Sequence, residues 1–355
     1  MTVCLIGLGS NQGNRQANLQ QALQHLQHTP GCSSLACSSW HTTTPVGGPP
    51  GQNDFLNAAV RLETSLPPQA LLARLLEIEN LLGRQRLEHW GPRPIDLDLL
   101  LYEDLVLNTP SLVLPHPRMA WRRFVLEPAA EVAADLKHPQ IGWTVGQLLA
   151  HLNATPPYVA ITGPIAVGKS RLAERLAQFL SARYLSERPN WSRLEEFYRE
   201  QAVDAVHRPA GSALETELEF LHDRAQLLAK SAWDGPADQW TISDFWFDQS
   251  AAFAEAWLIA DQFEQYRPCY ERLQREVVRP RLVVCLDLPV NDLLQGVRQR
   301  GRDCEQRLTA EQLERIGETL ARRLSAADVG PALRAANGDP EATFSEVAAA
   351  VQAMQ

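Results

Sequence analysis

The apolar positions along this chain change their period several times, and each change marks an element. Val3-Cys4-Leu5-Ile6-Gly7-Leu8 is a short apolar run that predicts a buried strand, and Gly9-Ser10-Asn11 turns the chain out of it. Leu19, Ala22, Leu23 and Leu26 recur at helical spacing and predict a helix over 16–27, ended by Pro30-Gly31. Strands are predicted over 35–41 and 55–62. Between them, 43–51 holds too much glycine and proline for regular structure, and such a loop is either a plain connection or a lid over a site. Residues 67–82 form an amphipathic helix with Pro67 near its first turn. After Pro94 the chain is apolar except for two acids, which predicts one more strand.

At Asn153-Ala154-Thr155-Pro156-Pro157 a polar, proline-containing linker breaks the pattern, and it starts again. Tyr158 to Thr162 reads as a strand, a glycine loop follows, and Leu172, Leu176, Phe179 and Leu180 mark a helix. Later apolar runs at 240–244 and 281–288 add buried strands. The order before the linker, β-α-β-β-α-β, is the ferredoxin-like plan of an α+β domain: an antiparallel four-stranded sheet with helices on one face. The alternation after it predicts an α/β domain with a parallel sheet built around a phosphate loop. Two domains are therefore expected, 1–153 and 158–355.

Composition narrows the setting. At 355 residues the chain exceeds one ordinary domain of ~150. A net charge of -9 argues against a nucleic-acid coat or an anionic membrane surface. The six cysteines show no CxxC spacing, which suits reduced thiols rather than a metal site or a disulfide framework. No basic leader is visible, and no stretch reaches the ~18 apolar residues of a membrane span. A cytoplasmic protein with no nucleic-acid or membrane partner is expected.

The chemistry concentrates in two places. Asp96 and Asp98 stand two apart on a strand, so both project from one face while Ile95, Leu97 and Leu99 pack behind them. Two acids on one face cost desolvation and repulsion unless a cation compensates, and Mg²⁺ takes carboxylate oxygens while leaving room for phosphates. Arg84, Arg86 and Arg93 before the pair, and His116, Arg118, Arg122 and Arg123 after it, form a cationic surround suited to polyphosphate. In the second half Gly163-Pro-Ile-Ala-Val-Gly168-Lys169-Ser170 is a complete GxxxxGKS loop between a strand and a helix. Backbone N–H groups there cradle phosphates, Lys169 meets their charge and Ser170 helps hold Mg²⁺.

GPRPIDLDLLLY, with LPHPRM after it and LIGLGSNQGN at the start, resembles 6-hydroxymethyl-7,8-dihydropterin pyrophosphokinase of folate biosynthesis over 1–152. The resemblance implies that Asp96 and Asp98 hold two Mg²⁺ ions bridging ATP, and that pyrophosphate moves to the pterin hydroxymethyl oxygen with AMP leaving. Arg84, Arg93, His116 and Arg122 match positions that contact phosphate or ATP, with Trp90 beside them. Asn57, Phe55 and Phe124 match the pterin pocket, and Thr43, Pro45 and Val46 the loop over it. On pattern alone the two phenylalanines read as core aromatics. The segment from Arg84 to Trp90 is one residue shorter than the family's pattern, which leaves Arg86 and His89 unplaced, and His41 stands where an aromatic hydroxyl is common.

GPIAVGKS, the acid in SERPNW and RQRGRDCEQRL together resemble the deoxynucleoside kinase family. That implies an α/β P-loop kinase using ATP and one Mg²⁺ held by Ser170 and Asp244. Glu187 is then the general base for a nucleoside 5′-hydroxyl, and Arg298, Arg300 and Arg302 form a lid over ATP phosphates. The chain departs from that pattern at three points. Arg188 separates Glu187 from its proline, and Phe245-Trp246 replaces the Arg and Ser that follow the family's acid. Glu215 or Glu217 stands near the base-reading Gln, so that Glu215, Glu217 and Asp244 are the candidate nucleoside contacts. An ionised acid there would favour deoxyguanosine, whose base edge offers two donors. Two other readings of this half stay open: an ATP-binding regulatory or dimerisation module without turnover, and a kinase for another small alcohol. A homodimer through this half is a candidate assembly.

Overall fold

Nine residues in extended conformation, Thr2–Ser10 (β1), form the middle of the first sheet. In the computed structural model, which describes residues 1–84, 91–201, 212–233 and 239–355, the chain divides into two compact units. The first comprises Met1–Ala154 together with Ala348–Gln355, the second Thr155–Val347.

In the first unit the elements follow in the order α1 (Arg15–Gln27), β2 (Cys32–Cys37), β3 (His41–Thr43), β4 (Phe55–Thr64), α2 (Pro68–Leu81) and β5 (Asp96–Tyr102). A two-stranded hairpin, β6 (Leu107–Asn108) and β7 (Val113–Leu114), and helices α3 (Arg123–Ala133) and α4 (Val145–Ala154) complete it. The main sheet runs β2-β4-β1-β5, antiparallel throughout, with β3 also on β4. One face is the core: Cys4, Ile6, Leu8, Val60, Leu62, Leu97 and Leu99 meet Leu19, Ala22 and Leu26 of α1 and Leu71, Leu75 and Ile78 of α2. Asn14 caps α1 by accepting from the Ala17 N–H. The single strand expected over 35–41 is split. The Ser38 Oγ accepts the Ala59 N–H at 2.9 Å, taking the place of a ladder carbonyl and interrupting the strand between β2 and β3.

The C-terminal residues belong to this unit. The Arg123 N–H donates to Ala353 O at 2.8 Å and its Nε to Met354 O at 3.3 Å, and Ala353 and Met354 are buried.

The second unit contains β8 (Tyr158–Thr162), α5 (Lys169–Phe179), β9 (Arg183–Leu185), α6 (Trp191–Gln201), α7 (Ser212–Leu227), β10 (Thr241–Ser243), α8 (Gln249–Trp257) and α9 (Ala260–Gln274). It continues through β11 (Leu282–Asp287), α10 (Val290–Arg300), α11 (Ala310–Leu324), β12 (Ala332–Ala336) and α12 (Pro340–Gln352). Its sheet is parallel throughout, in the order β12-β11-β8-β10-β9. All of β8 is buried, as a central parallel strand covered on both faces must be. The carboxyl ends of β8, β10 and β9 therefore open at one edge of the sheet, where α/β folds collect ligands. Among the described residues no helix is long and apolar enough to cross a membrane.

Candidate active sites

Across the first sheet, β1 pairs Gly9 with Asn57 on one side and Asp96 on the other. The three lie in one row on the face opposite the core. A Cβ on Gly9 would come within 3.0 Å of Asn57 Oδ1 and within 3.9 Å of the Asp96 Cβ, so the missing side chain keeps a floor open between amide and acid. Asn57 Nδ2 donates to Thr43 Oγ1 at 2.7 Å, which fixes the amide against β3. Arg93 lies over the Phe55 ring at 5.3 Å, and Arg122 over Phe124 at 5.5 Å. Both rings are half-buried at the site rather than sunk in the core. Pro45 and Val46 are half-buried in the loop after β3. Trp90, with Arg86 and His89, lies outside the described residues.

The charges around the acids are unbalanced. Arg84 is shared between Glu79 and Asp96, and Arg93 Nη2 reaches Asp96 at 2.6 Å. Asp98 is pushed up to about 7 by burial first and by Asp96 second, with Arg122 and Arg93 only partly offsetting them. Burial and the neighbouring Arg122 and Arg118 push His116 down to about 3, so it stays neutral, and its Nδ1 accepts the Arg118 N–H at 3.2 Å. Burial lowers Arg122 to about 10, still cationic at neutral pH. The Arg93 Nε is buried without a hydrogen-bond partner among the described residues. Two acids on one strand face, one of them buried, and a buried guanidinium donor beside them fit a divalent cation with a phosphate on it. Among the described residues no group of three or more His, Cys, Asp or Glu forms a cage. A cation at Asp96 and Asp98 would thus need phosphate or water oxygens.

In the second unit the loop after β8 is held by two glycines. Gly163 has φ +144, and a Cβ there would strike Leu286 O at 2.5 Å. Gly168 has φ +96 and would meet Asn337 Nδ2 at 2.8 Å. Lys169 opens α5, pushed down to about 8 by burial, with its Nζ 2.9 Å from Gly163 O and 2.8 Å from Pro164 O. An ammonium held by carbonyls and, among the described residues, bonded to no carboxylate is suited to a phosphate. Ser170 is exposed beside it.

Asp244, at the end of β10, accepts from Tyr184 Oη and from the Glu187 N–H, both at 2.8 Å. It anchors the backbone of Glu187. The Glu187 carboxylate in turn accepts from Arg224 of α7, whose Nε and Nη2 are each 2.6 Å from Oε1. Phe245 and Trp246 are buried in the apolar core. Of the two glutamates proposed for the base edge, the structure brings only one to this cluster. Glu215 is exposed and pairs with Arg193 at 2.8 Å. Glu217 is 4% exposed, with Arg224 and Glu187 as its charged neighbours, and burial pushes it up to about 8. It therefore carries a proton at neutral pH, and the ionised acid that would have favoured deoxyguanosine is not present there.

The three arginines of the expected lid separate. Arg300 and Arg302 hold Glu305 at 2.5 and 3.3 Å, and Arg302 covers the Trp191 ring at 4.2 Å. Arg300 is near enough to bear on Lys169, whereas Arg298 is exposed on α10.

Comparison with known proteins gives each half a family. The family model for 7,8-dihydro-6-hydroxymethylpterin-pyrophosphokinase matches residues 5–134, and that for deoxynucleoside kinase matches 159–349. A 2-amino-4-hydroxy-6-hydroxymethyldihydropteridine pyrophosphokinase of Synechocystis is 43% identical over 164 residues, 46% of this chain and 80% of its own. The chain belongs to both families. A second pyrophosphokinase, from Methylorubrum extorquens, is 46% identical over 43% of this chain and 95% of its own. A solved deoxyadenosine kinase from M. mycoides with bound dCTP covers 54% of this chain and 96% of its own at 15% identity and a TM-score of 0.45. The pyrophosphokinase half and the deoxynucleoside kinase half are both ATP-using enzymes that work with Mg²⁺. Sequence reasoning missed Arg224. An arginine on an amphipathic helix reads as surface charge, and nothing local ties it to Glu187, 37 residues away.

Proposed function

We propose that the first half transfers pyrophosphate from ATP to 6-hydroxymethyl-7,8-dihydropterin, and that the second transfers the ATP γ-phosphoryl group to a deoxynucleoside 5′-hydroxyl. The boundary between the two activities lies at 153–157. The row Asn57–Gly9–Asp96 carries the first reading, because it sets a base-reading amide and a metal-binding acid on one open floor. The order β2-β4-β1-β5, with α1 and α2 on one face, supports a ferredoxin-like fold beneath it.

Mg²⁺, two ions at Asp96 and Asp98 and one beside Ser170 and Asp244, supplies charge neutralisation to the phosphates when bound. Arg84 and Arg93 hold Asp96 in place and, with Arg122, offer guanidinium groups to phosphate oxygens. Neutral His116 has its Nε2 proton left to donate, since Nδ1 accepts. Phe55 and Phe124 clasp a flat ring whose edge Asn57 reads, under the loop bearing Thr43, Pro45 and Val46. In the second half Glu187 accepts the acceptor's hydroxyl proton, Lys169 and the loop from Gly163 to Gly168 cradle ATP, and Arg300 and Arg302 close on it. Protonated Glu217 offers one donor and one acceptor to a base edge, as an amide does.

Asp96→Ala or Asp98→Ala should lower AMP formation from ATP and the pterin by on the order of 10²-fold or more. Both variants should keep the wild-type circular dichroism, because β5 is held by its backbone pairing to β1 and Arg84 keeps Glu79 as a partner. Turnover close to wild type in either would sink the metal assignment. For the second half, Glu187→Gln should lower deoxynucleoside phosphorylation by on the order of 10²-fold, leaving a measurable residual rate, and keep ATP affinity.

A further inference from the structure

Glu187 is held from two sides by groups of different elements. On the main-chain side its N–H donates to Asp244 Oδ1 at 2.8 Å. On the side-chain side the Arg224 Nε and Nη2 converge on Oε1, each at 2.6 Å, and Nη1 donates to Ser250 Oγ at 2.7 Å. The Arg224 side chain is only 5% exposed, so its charge requires a partner. It also lies over the Phe220 ring at 5.3 Å. Both bonds to Glu187 fall on one oxygen, which leaves Oε2 to accept from an incoming hydroxyl.

We propose that Arg224 is the positioning residue for Glu187, fixing its carboxylate by two bonds to one oxygen and turning the other oxygen toward the acceptor hydroxyl. This rests on the kinase reading of the second half. The end of β10 supplies no cation for the purpose, since Phe245 and Trp246, which follow Asp244, are buried in the core. The guanidinium comes instead from α7, on the helix face that also carries Leu221 and Glu217. Glu217 and Glu187 compete for this one cation. Glu187 takes its hydrogen bonds, and Glu217, pushed up to about 8 by burial, keeps a proton. Burial keeps the proton on Glu217 against the opposing charge of Arg224, whose hydrogen bonds are spent on Glu187 and Ser250.

The test compares the full chain with Arg224→Met, Arg224→Lys, Glu187→Gln and the Glu187→Gln/Arg224→Met double variant, using ATP and a panel of deoxynucleosides. Arg224→Met should lower kcat by on the order of 10²-fold, as loss of an effective general base does, with the ATP KM near wild type. In the Glu187→Gln background it should cost nothing further, because it acts through Glu187. Arg224→Lys, which keeps charge but loses the two-pronged geometry, should fall between. It carries the same test if Arg224→Met does not fold. A loss confined to the acceptor KM would mean that Arg224 touches the acceptor, and an equal loss in both backgrounds would mean a structural role; either overturns the inference. If the wild type binds ATP and phosphorylates nothing, the kinase reading falls first. A thermal-unfolding cycle on the same four variants and the wild type then identifies the pair as an ion pair of the fold, or as uncoupled. Both of these also overturn the positioning role.

Discussion

Glu217 sets a measurable consequence at the scale of one residue. Burial raises it from an ordinary 4.5 to about 8, with Arg224 opposing and Glu187 reinforcing the rise. Between those values the folded chain holds a proton that the unfolded chain has lost. Its contribution is thus complete below pH 4.5 and disappears as pH rises through about 8. Wild type should lose stability across that window by on the order of a few kcal/mol relative to Glu217→Gln. Urea midpoints at several pH values would read it, and parallel curves for the two proteins would remove the buried proton from the account. Legibility in the sequence differs sharply among such residues. Asp96 and Asp98 are legible because a strand has a period of two, so spacing alone puts both on one face. Glu215 and Glu217 are also two apart, but on a helix that spacing turns them about 200° from one another. Only one can face inward, and the pattern of α7 does not say which.

At the scale of elements, the phosphate loop is the part that the sequence specifies most completely. Strand, glycines, lysine and helix stand in the order that the backbone needs, and Gly163 shows why. With φ +144 and Leu286 O 2.5 Å from the position of a Cβ, no side chain fits without moving β11 or the loop. Gly163→Ala should therefore weaken ATP binding to the second half by tenfold or more, on the order of 1.4 kcal/mol. Pyrophosphokinase turnover should be unchanged, and an ATP titration of the Asp96→Ala background isolates the second site. Wild-type affinity there would mean that the loop yields freely. The expected arginine lid was less legible. Arg298 and Arg300 lie on α10, where a spacing of two points them apart, and Arg302 follows Gly301, which ends the helix at φ +67. Three arginines at even spacing look like one device in sequence and become two in the fold. The predicted strand over 35–41 divides for a similar reason, since a serine hydroxyl that mimics a carbonyl leaves no periodic signature.

At the scale of the molecule, the polar and proline-containing linker made two units legible, while the membership of the C-terminal residues was not. Ala348–Gln355 group with the first unit, and their backbone carbonyls satisfy Arg123, which stands between Arg122 and Phe124. Nothing in the hydrophobic pattern distinguishes the close of α12 from an ordinary helix end. Deleting 348–355 leaves the Arg123 backbone N–H without its partner, worth about 1–3 kcal/mol, and uncovers the apolar surface against which Met354 is buried. Calorimetry should show the first unit melting several degrees lower in that variant, with pyrophosphokinase activity reduced in step. A fragment ending at 154 should share the defect, and a peptide spanning 340–355 should repair it. An unchanged melting point would leave the contact without energetic weight.

That same contact orders events during synthesis. Arg123 and Met354 are 231 positions apart, so at roughly 5–20 residues per second a ribosome needs some tens of seconds to make the partner after making the residue that awaits it. Through that interval the first half exists as a nearly finished enzyme whose last segment has not yet been translated, while the whole of the second half emerges and folds. The half that is begun first is the half that is finished last.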